Sequence, residues 1–231
     1  MKIIFTNTFG IDIEKPKPAS KFLPEWYKNT KSYIGDGKKP VGDGRTASTI
    51  KRCVPVLDAL TGGYIITLPA DIYVSLKDNG MGEKIQFFEW PGVKIVDFHS
   101  IEQAPEHPLV KPHAYAKFIN PWAIKTPKGY STLFVQPFHR ESIFTIFSGI
   151  VDTDIYTAPV NLPFVINDPD FEGYIKKGTP IAQVIPIKRD KWIMDIGNKK
   201  DLDQQEGVTQ RLHSLFFDKY KKMFWDKKEY I

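Results

Sequence analysis

From residue 64 to residue 188 the apolar positions fall in short alternating runs, each closed by a turn signal. YIITL (64–68), DIYVSLK (71–77), KIQFFEW (84–90) and GVKIVDFHS (92–100) form a first group, and a second group runs from 114 to 188. A period of two residues places one face of each run on a core, so these are predicted strands. Asp78, Asn79 and Gly80 predict a tight hairpin. Pro127, Lys128 and Gly129, then Asn167, Asp168 and Pro169, then Lys177 and Gly178 predict further turns. The Pro- and His-containing stretch 102–113 reads as a long loop across one domain, because neither strand group looks closed alone.

The period is helical only towards the two ends. Residues 3–9 predict a first strand, and Phe22, Leu23, Trp26 and Tyr27 a short helix after a proline-stiffened entry. Residues 33–49 hold Gly-Asp-Gly twice but lack phosphate-loop spacing, which predicts a surface loop. A helix over 46–60 is expected, interrupted near Pro55 and ended by Gly62 and Gly63. Residues 190–207 are polar and read as irregular. After them Val208, Leu212, Leu215, Phe216, Tyr220, Met223 and Phe224 form one helical stripe, with Arg211, Lys219, Lys221 and Lys222 largely off it. Such a helix is expected to pack on its own β domain or on a neighbouring subunit. The predicted fold is mainly β: a β-sandwich or distorted jelly-roll barrel with short N-terminal helices and a C-terminal amphipathic helix. The predicted organisation is one globular unit: an arm with helices (1–63), a β domain (64–192), and a polar connection with the helix (193–231).

Charge sharpens this division. Residues 1–52 carry 11 Lys/Arg against 5 Asp/Glu, residues 53–187 carry 10 against 14, and residues 188–231 carry 11 against 8. The β region is mildly acidic between basic ends, the reverse of a nucleic-acid platform, so no specific nucleic-acid binding is expected. The basic ends suit acidic partner surfaces. A single cysteine, Cys53, forms no intramolecular disulfide and reads as a buried apolar residue. The opening apolar run is too short for a signal peptide, and no stretch has the length to span a bilayer.

Two segments carry a family resemblance: GIVDTDIY (149–156) and KKGTPIAQVI (176–185) resemble the trimeric dUTPase and dCTP deaminase superfamily. The resemblance implies dUTPase-like elements in the fold and candidate catalytic roles for Asp152, which matches the water-orienting acid, and Asp154, the second acid. It implies ligand contacts from Tyr156, at the sugar platform, and Gln183, near the phosphates. Lys128, Gly129 and Tyr130, after Pro127, are similar to the family's strand entry. Other parts of the set are missing. Ile155 is inserted ahead of Tyr156, which on a strand turns the tyrosine to the other face. PFHRES (137–142) stands in place of the phosphate motif, and residues 62–65 only echo the uracil-reading segment. The glycine-rich closing tail is replaced by the basic helix.

Over most of 1–192 the chain resembles an uncharacterised protein family of T-even-like tailed phages, notably of cyanobacteria, and of some bacteria. The carriers are KPKPASKFLPEWYK, CVPVLDALTGGYIITLPADIYVS, INPWAIKTPKGYS, QPFHRES and GIVDTD. The resemblance implies a phage-encoded protein but no activity; the broken dUTPase motifs favour a non-catalytic binding or assembly protein, in the virion or the host cytoplasm, with phage or host proteins or a second copy of the chain as partners. The alternative is a nucleotide-binding protein or pyrophosphohydrolase, for which magnesium would accompany the nucleotide; otherwise no cofactor is expected. His139 and Arg140 interrupt two apolar strands and are candidate ligand contacts, Arg140 for an anion. His99, His107 and His113, with Glu102 and Glu106, lack metal-ligand spacing and read as turn residues.

Overall fold

The computed structural model describes residues 1–35, 48–75, 86–88, 94–99, 101–103, 107–109, 115–213 and 219–231. The fold is mainly β and sandwich-like. Fourteen strands are described: β1 (Ile4–Asn7), β2 (Lys17–Pro18), β3 (Tyr64–Thr67), β4 (Ile72–Ser75), β5 (Gln86–Phe88), β6 (Val96–His99), β7 (Tyr115–Phe118), β8 (Trp122–Lys125), β9 (Tyr130–Val135), β10 (Phe144–Ile146), β11 (Gly149–Val151), β12 (Leu162–Ile166), β13 (Glu172–Ile175) and β14 (Pro180–Lys188). They form antiparallel sheets in the orders β11-β9-β14-β3-β2, β10-β12-β7-β6, β13-β4-β5 and β1-β8. Every order is open, so among the described residues no barrel closes.

All four sheets feed one apolar cluster. Phe134, Ala182 and Val184 come from the five-stranded sheet, Phe118, Phe144 and Phe164 from the four-stranded one. Ile72 and Ile175 come from the three-stranded sheet and Ile124 from the pair. Phe118 stacks on Phe164 with centroids 3.8 Å apart, and Phe144 meets Phe118 edge-on at 4.9 Å. The alternation read in the sequence reflects this burial: in β10, Phe144 and Ile146 are buried while Thr145 between them is not.

Turns fall where glycine permits them. Gly129 has φ +84° while Tyr130 N–H donates to the Pro127 carbonyl, a type II geometry that leads into β9. Gly63 ends a helix at φ +71° as the sequence predicts, but its need is greater: a Cβ there would lie 2.1 Å from the Val184 carbonyl oxygen of β14. The hairpin expected at 78–80 lies outside the described residues, although β4 and β5 on either side pair antiparallel.

The chain divides into two compact units. The first (Met1–Pro24, Leu60–Arg189, Tyr230–Ile231) contains every strand. The C-terminal dipeptide belongs to it because Tyr230 meets Tyr64 edge-on at 5.8 Å. The second (Glu25–Ala59, Asp190–Glu229) is built from α1 (Glu25–Asn29), most of α2 (Val54–Thr61), α3 (Lys199–His213) and α4 (Lys219–Met223). Within it the Trp225 indole N–H donates to Asp58, and Lys228 pairs with the same carboxylate at 2.9 Å.

Three local expectations are corrected. The single helix over 46–60 is a 3-10 turn (Ile50–Arg52) capped by Thr49, followed by α2; Pro55 sits in the first turn of α2, where its missing N–H costs nothing, and so does not interrupt it. Residues 190–207 are irregular only to 198. The Asn198 side chain accepts from Lys200 N–H and Asp201 accepts from Asn198 N–H, a capping box that starts α3 at Lys199. Cys53 is exposed, because it terminates the 3-10 turn ahead of α2 instead of facing a core. On the C-terminal stripe Leu212, Tyr220, Met223 and Phe224 are exposed in the single chain, and Leu215 and Phe216 lie outside the described residues.

Candidate functional site: an aspartate corner closed by arginine

β11 ends at Val151, and the chain turns at once: the Asp152 carbonyl accepts from both Ile155 and Tyr156 N–H. Because 153–155 is a turn, strand parity does not set the direction of Tyr156, contrary to the expectation from the inserted Ile155. The turn leaves Ile155 and Tyr156 exposed and Thr153 buried. The Thr153 hydroxyl lies 2.8 Å from those of both Thr126 and Thr132, and Thr126 donates onward to the Tyr130 carbonyl. Three buried hydroxyls thus satisfy one another, which a buried polar group requires.

Asp152 and Asp154 flank this threonine and converge on one cation. Arg189, the residue after β14, forks onto Asp154 with Nη1 2.8 Å from Oδ1 and Nη2 2.5 Å from Oδ2. Gly129 N–H adds a bond to Asp154 Oδ2 at 2.8 Å. The Asp154 side chain is only 4% accessible. Asp152 accepts from the Ser131 hydroxyl at 2.6 Å and lies 3.1 Å from Arg189 Nη1, with 56% of its side chain exposed. The backbone closes the corner, since Arg189 N–H donates to the Gly129 carbonyl. A bidentate guanidinium pair is the strongest arrangement open to these groups. Arg189, followed by the Gly129 amide, lowers the Asp154 pKa to about 2, and Asp154 in turn raises that of Arg189.

Gln183 belongs to a different place. It is 1% exposed; its amide donates to the Gly62 carbonyl at 2.6 Å and its oxygen accepts from Phe138 N–H at 3.2 Å. It therefore holds the loop that carries His139 and Arg140. His139 has φ +53°, a left-handed conformation that histidine tolerates better than most residues. The half-buried Arg140 guanidinium donates to the Phe22 carbonyl, and burial lowers its pKa. On β9, Val135 pairs with Gln183 while Ser131, the partner of Asp152, pairs with Ile187. Four residues of strand separate the two groups by about 13 Å. The six candidate residues thus form an acidic corner and a loop anchor, with Tyr156 half exposed beside the former.

Arg189 and the three threonines were not singled out in the sequence. The only local signal is a basic residue at the end of an apolar strand, which thousands of surface arginines share. His99 contacts Gln103, and His107 stacks on Phe147 at 4.2 Å; His113 lies outside the described residues. Among the described residues no three His, Cys, Asp or Glu side chains converge on a metal-sized site, and no helix is long and apolar enough to cross a membrane. The sequence matches no protein-family model and no curated protein.

Proposed function

We propose that this chain is a non-catalytic binding or assembly protein, encoded by a phage and working through protein surfaces in the virion or during host takeover. The observation that carries this reading is the closed state of the aspartate corner. A general base needs a carboxylate free to take a proton from water and basic enough to hold it. Asp154 is nearly inaccessible, doubly bonded to Arg189, and titrates at about 2. Asp152 is 56% exposed, but its Oδ1 accepts from the Ser131 hydroxyl and lies 3.1 Å from the same guanidinium. Gln183, the candidate phosphate contact, is spent on two backbone groups. Asp152 and Asp154 instead tie the end of β11 to the start of β9 and the end of β14, and the basic ends of the chain supply complementarity to acidic protein surfaces.

The test is incubation with dUTP and dCTP in the presence of magnesium. Neither pyrophosphate release nor deamination at enzymatic rates is expected, and saturating nucleotide should leave the melting temperature unchanged. Turnover that disappears in Asp152→Asn, with a nucleotide-dependent rise in Tm, would restore the nucleotide-hydrolase alternative.

A further inference from the structure

From Asp190 to Ile231 the chain lies mostly at the surface. Of the residues there whose burial is described, all are exposed except Gly207, Val208, Trp225 and Tyr230. Trp225 is held within the second unit by Asp58. Tyr230 and Ile231 instead belong to the first unit, where they meet a pair of rings. Tyr64 of β3 and Phe5 of β1 lie edge-on at 5.3 Å, and both pack against the apolar core. The Tyr230 ring adds a second edge-on contact to Tyr64 at 5.8 Å. The Tyr64 hydroxyl donates to the Ile231 carbonyl at 3.3 Å, while the Ile231 side chain stays fully exposed.

The two sides of this contact are held very differently. Tyr64 pairs in register with Pro18 of β2 and Val184 of β14, and Phe5 with Ile124 of β8. Both rings stand on paired strands, which keep them in place whether or not Tyr230 is there. Residues 225–231 form neither helix nor strand. One edge-on ring contact and one long neutral hydrogen bond favour the docked segment over the free one by only about ten- to a hundredfold. That ratio is small for a part of the fold and right for an occupant that exchanges.

We propose that Tyr64 and Phe5 form a docking site for a short peptide presenting an aromatic ring followed by a backbone carbonyl, and that Tyr230 and Ile231 fill this site in cis. The edge-on geometry calls for an aromatic residue, and the Tyr64 hydroxyl calls for an acceptor one residue later. The exposed Ile231 side chain leaves the identity of that next residue open. Release of the dipeptide uncovers the site and frees the tail beyond Trp225 in one step. The inference rests on the binding reading and gives it a peptide chemistry.

The test adds a tripeptide with the sequence of residues 229–231, blocked at both ends, to the full chain and follows binding by NMR. Tyr230→Ala empties the site. A tethered segment has an effective concentration of about 1 mM, so the docking ratio corresponds to a tripeptide Kd of about 0.1 mM in this variant. The wild type should bind at least about tenfold more weakly, because its own dipeptide competes. A tripeptide with alanine at its centre should not bind, and adding Tyr64→Phe to Tyr230→Ala should weaken binding several-fold by removing the donor alone. Trypsin should cut the native chain after Lys227 and Lys228 about tenfold faster in Tyr230→Ala, with Tyr230→Phe at the wild-type rate, since cleavage follows the open population. Absence of tripeptide binding to Tyr230→Ala at millimolar concentration overturns the proposal, as does equal binding by wild type and variant. A loss of Tm in Tyr230→Ala as large as that of a core truncation also overturns it, because the ring would then belong to the fold. Nucleotide turnover would sink the binding reading while leaving each of these measurements to stand alone.

Discussion

Two adjacent stretches of this chain handle their side chains in opposite ways. Along β14 and its neighbours every conspicuous polar group is matched: Gln183 to two backbone groups, Thr153 to two hydroxyls, Asp154 to a guanidinium and an amide. Directly after Arg189, residues 192–196 leave four large apolar groups unmatched. A polar group buried without a partner costs the fold itself, so it must be satisfied within the chain. An exposed apolar group costs little in a single folded chain, and its cost is removed only by association. The matched region therefore reports on folding, and the unmatched one is apolar surface that folding of the described chain does not need to cover.

The sharpest way to break the matched side is Gly63→Ala. Its φ is +71°, and the new methyl carbon would sit 2.1 Å from the Val184 carbonyl oxygen, so the helix end and β14 must separate. Denaturant unfolding should show a loss of about 3 kcal/mol or more, with a reduced soluble yield. Gln183→Leu keeps the bulk of the side chain but strands the Gly62 carbonyl and the Phe138 amide. A loss of about 2–3 kcal/mol is expected, with the 137–142 loop gaining hydrogen-exchange rate; full stability in this variant would mean that Gln183 is held for a ligand and not for the fold.

The aspartate corner should be visible through pH. Asp154 titrates at about 2 in the folded chain, below the ordinary carboxylate value, so its contribution is fully present above roughly pH 4 and is lost as pH falls towards 2. Asp97, bonded to Lys94 and Lys117, is lowered to about 2 as well and adds a second share with the same sign. Tm should fall over that window in the wild type and fall less steeply in Asp154→Asn. An unchanged slope would place the Arg189 fork outside the solution structure.

The smallest expected effect belongs to the unmatched stretch. Trp192→Ser should alter the unfolding free energy by no more than about 0.5 kcal/mol in dilute solution. A larger loss there would mean that the tryptophan is covered within its own chain, and the contrast between the two regions would fail.

The mainly β fold, the strands β1 and β3 to β6, the extent of the later strand group and the turns at Gly129 and Gly178 were legible in the sequence, because alternation and turn chemistry act over a few residues. The capping box of Asn198 and Asp201 was equally local, but a helix with almost no apolar stripe around 199–207 gives no periodicity to notice. Cys53 and Pro55 were misjudged because their roles depend on where a helix starts, a matter of one or two residues.

What the sequence determined by itself was the set of short-range commitments: which runs can be strands, where glycine must bend the chain, and which acids stand together at 152 and 154. What only the tertiary structure decided was how those acids are used. Arg189 lies 35 residues from Asp154, and it reaches that carboxylate only because β14 pairs with β9 in a register that brings the end of β14 beside the start of β9, at Gly129. Likewise, nothing in the letters WIMDI distinguishes a buried strand from an exposed one. Accessibility is set by what the rest of the chain covers, a sum over distant contacts that no local pattern encodes.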